Sequence, residues 1–135
     1  MADLTITADD VRLVRGGDEH QHTAPAGEAI TAGQYIRWST AGKFEKGNAT
    51  AAGEVGDGFI ALKDAAIGEA VTGVKGPCLL DVGDALSGLA YGASVFLSDT
   101  DATLADAAGT VSTVVGKVAP GWAGSAKKLL RLTLN

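Results

Sequence analysis

Cysteine, proline and aromatic residues are scarce in this sequence, and basic residues are outnumbered by acidic ones. The single cysteine, Cys78, cannot close an internal disulfide, and with only two histidines beside it no closed zinc site can be assembled. Eleven Lys and Arg against sixteen Asp and Glu give a net charge of −5. An acidic chain without a basic cluster is a poor partner for nucleic acid or an anionic membrane, both of which need a positive field. No uncharged run is apolar enough to span a bilayer. The first ten residues carry Asp3, Asp9 and Asp10 where a secretory signal has a basic start and an apolar run, so no targeting segment is expected. The 19 glycines lack a period of three, which excludes a collagen-like chain. Alanine supplies more than a third of the apolar residues, leaving two Trp, two Tyr, three Phe and one Met as large fillers. A core this thin, in 135 residues, is expected to draw part of its stability from partners.

What is present reads as β structure. Short runs set off by glycine or polar clusters lie at Leu4 to Thr7, Val11 to Arg15, Gln34 to Ser39, Phe59 to Leu62, Ala70 to Val74, Cys78 to Val82, Ser94 to Ser98 and Val111 to Val118. At the C-terminus Leu130, Leu132 and Leu134 alternate with Leu129, Arg131 and Thr133, a period of two with one dry face. The spacing and the turn-rich separators predict a mainly β fold, a compact barrel or sandwich. At most one or two short helices are expected, the candidates being Asp84 to Tyr91 and Asp101 to Ala108. Gly56-Asp57-Gly58 reads as a hairpin turn.

Residues 1–26 differ in character, with five acids, Arg12 and Arg15, and both histidines. In the run Val11 to Arg15, alternation places Val11, Leu13 and Arg15 opposite Arg12 and Val14. Beyond it, Gly16 to Pro25 has no periodicity. The segment is expected to form an extended N-terminal arm, either a flexible lead-in or a strand that orders on a partner. Its deletion is expected to leave a folded body over 27–135.

That body carries an internal repeat. Gly27-Glu28-Ala29-Ile30-Thr31, Gly68-Glu69-Ala70-Val71-Thr72 and Gly83-Asp84-Ala85-Leu86-Ser87 share one pattern, a glycine turn with a solvated acid leading into a strand. Thr31 to Ser39 also parallels Ala90 to Ser98, so two related β units are expected, about 27–82 and 83–135. Tyr35 and Tyr91 fall at nearly matching positions, which suggests a common role.

Chemistry-bearing constellations are weak. His20 and His22 would share a strand face, but only Asp18 and Glu19 are near enough in sequence to complete a metal site. Asp99-Thr100-Asp101-Ala102-Thr103 has the spacing of a phosphatase nucleophile loop without the α/β context, and reads as a turn closed by Asx interactions. Cys78, in an apolar strand with no partner base, reads as a buried thiol. No enzyme, metal or cofactor is expected. Trp38 reads as core, and Trp122, held between glycines, as either an interface anchor or a cap on the body.

The stretch Gly27 to Ser39, the run Gly83 to Asp99, Ala105 to Val111 and Val115-Gly116-Lys117-Val118 together resemble the small capsid cement, or head decoration, proteins of tailed bacteriophages. The resemblance implies a β-rich protein, commonly a homotrimer, on the exterior of the virion at local three-fold positions of an expanded head. Its partner would be the major capsid protein, and its role to reinforce the shell against the pressure of packaged DNA. On this reading the candidate interface comprises Leu4, Ile6, Val11, Arg12, Leu13, Arg15, His20, His22 and Trp122. Neither nucleic acid nor membrane is implied as a direct partner. The alternative from another class is a β-rich receptor- or glycan-binding module of a virion surface.

Overall fold

β-Branched and leucine-rich runs too short for a helical stripe find their backbone partners in neighbouring strands. The computed structural model describes residues 3–16, 20–121 and 128–134. Among them eleven strands form: β1 (Val11–Gly16), β2 (Gln21–Pro25), β3 (Tyr35–Trp38), β4 (Phe44–Lys46), β5 (Gly58–Ala61), β6 (Ala70–Val74), β7 (Cys78–Val82), β8 (Ser94–Leu97), β9 (Leu104–Ala105), β10 (Val114–Pro120) and β11 (Lys128–Leu132). A single helical turn, α1 (Ala52–Val55), and a 3-10 turn at Ala8–Asp10 complete the inventory.

The strands make two antiparallel sheets, one ordered β1-β7-β11-β10-β8-β9 and the other β2-β6-β5-β3-β4. The result is sandwich-like, not a closed barrel. The chain changes sheet between β1 and β2 and returns between β6 and β7. The larger core lies where the inner faces meet, with Leu80, Val95, Leu97, Val115, Leu130 and Leu132 from the six-stranded sheet against Tyr35, Ile60 and Val74 from the other. The dry face expected of the C-terminal strand is the one buried here. Each fully buried leucine contributes about 2 kcal/mol.

A second core lies on the opposite face of the five-stranded sheet, where Ile36, Phe44, Phe59, Ala61 and Val71 are covered by Ile30 and Ala65. That sheet curls until its edges approach each other. Just after β2, Ala26 bridges Phe44 of β4, and the Gly27 amide donates to the Phe44 carbonyl at 2.8 Å. β5 therefore lies between two cores and is buried at all four positions.

Residues 11–16 and 21–25 are extended, as expected, but they do not stand off from the body. β1 is an edge of the six-stranded sheet, paired with β7, and β2 is an edge of the five-stranded sheet, paired with β6. The expectation that the body folds without them is revised accordingly.

Other local expectations change for identifiable reasons. Asp84 to Tyr91 forms consecutive turns, and Asp101 to Ala108 contains β9, because neither has an apolar stripe to hold a helix on the body. Gly56 closes α1 with a φ of 53°, so Gly56-Asp57-Gly58 links a helix to a strand and is not a hairpin. Of the three Gly-acid-Ala turns, Gly68 and Gly83 have positive φ and Gly27 does not. Their acids are not simply solvated. Glu28 accepts from the Lys46 amide at 3.0 Å, and Glu69 from the Ala66 amide at 2.7 Å. Tyr35 is buried while Tyr91 is half exposed, so the two tyrosines have different roles. The tyrosines are also out of step when the glycine turns that precede β3 and β8, Gly33 and Gly92, are aligned.

Candidate functional site

The N-terminal residues proposed for an interface divide between the core and the surface. Val11 is buried in the larger core, and Leu4, Ile6 and Leu13 pack against it. These four serve the chain's own fold. Ile6 and Val11 crowd Gly33, where an added Cβ would stand 2.6 Å from Ile6 Cγ2.

Ahead of them, Asp3 bridges Ala105, and the Leu4 amide donates to the Leu104 carbonyl at 2.8 Å. The Asp3 carboxylate accepts from the Ser98 hydroxyl at 2.5 Å and the Thr100 hydroxyl at 2.8 Å. These two bonds, Ser98 first, hold its pKa below the ordinary 3.8. A depressed carboxyl pKa stabilises the docked state above the unfolded pKa, and that contribution disappears as the pH falls through the lower folded value. Proteolytic clipping of the N-terminus is therefore expected to be slow and constant above pH 3.8 and to accelerate below it. Asp3→Asn should remove that pH dependence, as read by mass spectrometry of acid-protease digests.

Arg12 and Arg15 are exposed. Strict alternation would put Arg15 inward with Leu13, but a bulge between Leu13 and Arg15 shifts the register. Leu13 pairs with inward Leu80, while Arg15 pairs with outward Leu79. Both arginines thus share the outer face of the six-stranded sheet. Across that face the register sets Arg15, Leu79, Arg131, Lys117 and Ser94 in one row over five adjacent strands. Arg131 and Lys117 are directly opposite each other, and both are exposed. Two shallow clefts share Arg15 and Leu79. One, of about 250 Å³, is also lined by Pro120, Gly121 and Leu129. The other, of about 260 Å³, is also lined by Pro77, Cys78 and Arg131.

The histidines sit elsewhere. The His20 carbonyl accepts from the Lys75 amide at 3.0 Å. His22 lies opposite Gly73 on β6, whose missing side chain leaves room for Phe59. His22 meets Trp38 edge-on at 4.5 Å, and Trp38 stacks on Phe44 at 4.4 Å. Trp38 is half-buried against the second core and donates through Nε1 to Asp57 at 3.0 Å. Lys75 pairs with Asp57 and lies 4.6 Å from the Phe59 ring centroid. The arrangement is an aromatic stack pinned by an ion pair. Trp122 lies outside the described residues.

The remaining acids brace loops. Asp99 accepts from the Thr110 amide and hydroxyl, both at 2.8 Å, eleven residues on. The turn at 99–103 is closed by the Thr100 amide on the Ser98 hydroxyl oxygen at 3.0 Å and the Thr103 amide on the Thr100 carbonyl at 3.2 Å, in place of the expected Asx closure. Asp101 accepts from Asn48 Nδ2 at 2.8 Å, Asp64 from the Ala32 amide at 2.9 Å and Asp81 from the Gly83 amide at 2.9 Å. Glu54 binds Arg37 at 3.1 Å. Among the described residues no three His, Cys, Asp or Glu gather where a metal ion could sit, and no helix is long and apolar enough to cross a membrane. Burial pushes the Cys78 thiol up to about 11, which leaves it protonated at neutral pH.

No family model, curated protein or solved structure matches this chain.

The arrangement offers a braced β body with one broad cationic face. Arg131 and Lys117, absent from the sequence-derived interface, belong to that face. The alternation of Leu130, Arg131 and Leu132 showed that Arg131 points outward, but the cross-strand register that sets it beside Lys117 and near Arg15 is a tertiary property.

Proposed function

We propose that this chain is a structural decoration protein of a tailed-phage head. It binds the outer surface of the expanded shell, through the major capsid protein, as a homotrimer at local three-fold sites. There it stiffens the shell against the pressure of packaged DNA. The observation that carries this reading is the use made of the carboxylates. Nine of them, Asp3, Glu28, Glu54, Asp57, Asp64, Glu69, Asp81, Asp99 and Asp101, accept hydrogen bonds that tie loops or strands together. Side chains that elsewhere perform acid–base work here stiffen a β scaffold. The glycine turns of the motifs behind the resemblance support the same reading, since Gly33 and Gly92, with φ of 89° and 83°, precede β3 and β8 in the two sheets. A rigid unit that contacts several shell subunits gains avidity without needing one strong site.

Solution mass measurement followed by co-sedimentation with expanded heads lacking their decoration protein tests the proposal. Saturable binding and a raised temperature of head rupture are expected. A strict monomer that ignores such heads would overturn it, and selective binding on a glycan array would favour the receptor-module reading.

A further inference from the structure

We propose that the outer face of the six-stranded sheet docks an extended, acidic segment of a protein partner, with its carboxylates on Arg15, Arg131 and Lys117 and its apolar side chains in the two flanking clefts. On the decoration reading, on which this assignment of the partner rests, the shell supplies that segment.

The face has an unusual charge for this chain. Arg12, Arg15, Lys117 and Arg131 are exposed on it, against buried Asp81 and, at the far β9 edge, Asp3 already bound to Ser98 and Thr100, in a protein with five more acids than bases. Among the described residues none of the four cations makes an ion pair. Arg131 and Lys117 oppose each other directly, an arrangement that disfavours the isolated sheet because their Cβ atoms lie only about 5 Å apart. A carboxylate between them turns that repulsion into attraction.

The row over five strands spans about 19 Å, the length of about six residues of extended chain. Leu79 interrupts the cations between Arg15 and Arg131, and the clefts beside it are floored by Leu79, Leu129, Pro120 and Pro77. That alternation suits a peptide with mixed acidic and apolar side chains better than a uniform polyanion such as DNA, which the chain's overall negative field also repels. A second copy docked face to face would set the same cations against one another, so the occupant is a different surface.

The test uses the full chain and a fluorescein-labelled synthetic peptide of repeated Asp-Ser-Leu-Ser, whose acidic and apolar side chains share one face of the extended chain, read by anisotropy. Binding that weakens with salt is expected, together with at least a tenfold loss for Lys117→Glu/Arg131→Glu and a smaller loss for Lys117→Gln/Arg131→Gln. Lys63→Glu, on an exposed loop of the other sheet, should bind as the parent does. Thermal melts establish that each variant is folded, and the neutral pair serves if the reversed pair is not.

No binding by the parent, or equal binding by the reversed variant, overturns the proposal. So does duplex DNA that competes as well as the peptide, or a reversed variant whose only change is loss of self-association. Heads separate the two readings. If heads bind parent and reversed variant equally, the face assignment fails and the decoration reading stands. If heads ignore both while the peptide discriminates between them, the decoration reading fails and the face assignment stands.

Discussion

Deleting residues 2–24 is expected to abolish cooperative unfolding, leaving a chain without the parent's melting transition. The deletion removes β1 and all of β2 but Pro25, the outermost strands at one edge of each sheet, and with them the backbone partners of five residues on β7 and four on β6. It also strips Val11 and Ala24 from the two cores and uncovers the surfaces on which Leu4, Ile6 and Leu13 rest. Full burial of such aliphatic side chains is worth about 1.5–3 kcal/mol each, and roughly half that when burial is partial. The loss is therefore on the order of 5 kcal/mol, comparable to the entire stability of a small domain. Circular dichroism melts and proton NMR dispersion would measure it. A truncated chain that melts like the parent would mean that these edges are dispensable and that the segment is free to act on a partner.

Gly58→Ala is expected to lower the melting temperature by about 10 °C, from a destabilisation of about 3 kcal/mol. An alanine Cβ there would stand 1.9 Å from the Tyr35 hydroxyl oxygen and 2.2 Å from Cζ. The ring has nowhere to go. It is 1% exposed, its hydroxyl donates to the Val55 carbonyl at 2.9 Å, and Gly47 presses on it, with a virtual Cβ 2.7 Å from Cδ1. Burial in this slot raises the phenol pKa to about 12, so the neutral, donating form holds at any ordinary pH. The closest clash is with the hydroxyl, so Tyr35→Phe should recover part of the loss when combined with Gly58→Ala, a non-additivity expected of groups in contact. Gly53→Ala provides the contrast. Nothing lies within 4 Å of its virtual Cβ on α1, so a gain of about 0.5 kcal/mol is expected. A Gly58→Ala melt within a degree or two of the parent would show that the tyrosine slot can relax.

The fold was legible where glycine or polar turns bracket an apolar run. β6 and β7 begin and end where the sequence places them, and β1, β3, β5, β8, β10 and β11 differ by a few residues at most, whereas the run Leu4 to Thr7 forms no strand and only Asp3 before it bridges Ala105. β2 escaped because Gln21-His22-Thr23-Ala24-Pro25 offers one buried side chain, Ala24, to a sheet edge, too little for a periodic signal. β4 and β9, at three and two residues, are too short to alternate, and α1 at four is too short to show a helical period. The second core was hidden for another reason. Phe44 and Phe59 lie on β4 and β5, and it is their pairing on either side of β3 that sets them on one face with rings 5.2 Å apart. Of the candidate site, Arg12 and Arg15 were visible as charges. Their common face depends on the β1 bulge, and their neighbours Lys117 and Arg131 arrive through strand pairing.

The position of β5 between two cores also sets how the molecule can breathe. Opening the space between the sheets leaves β5 held through Phe59 and Ala61, while opening the outer core leaves it held through Ile60. Its amides can meet solvent only when both layers part, so their hydrogen exchange should report global unfolding, while those of β1 and β9 exchange through smaller, cheaper openings.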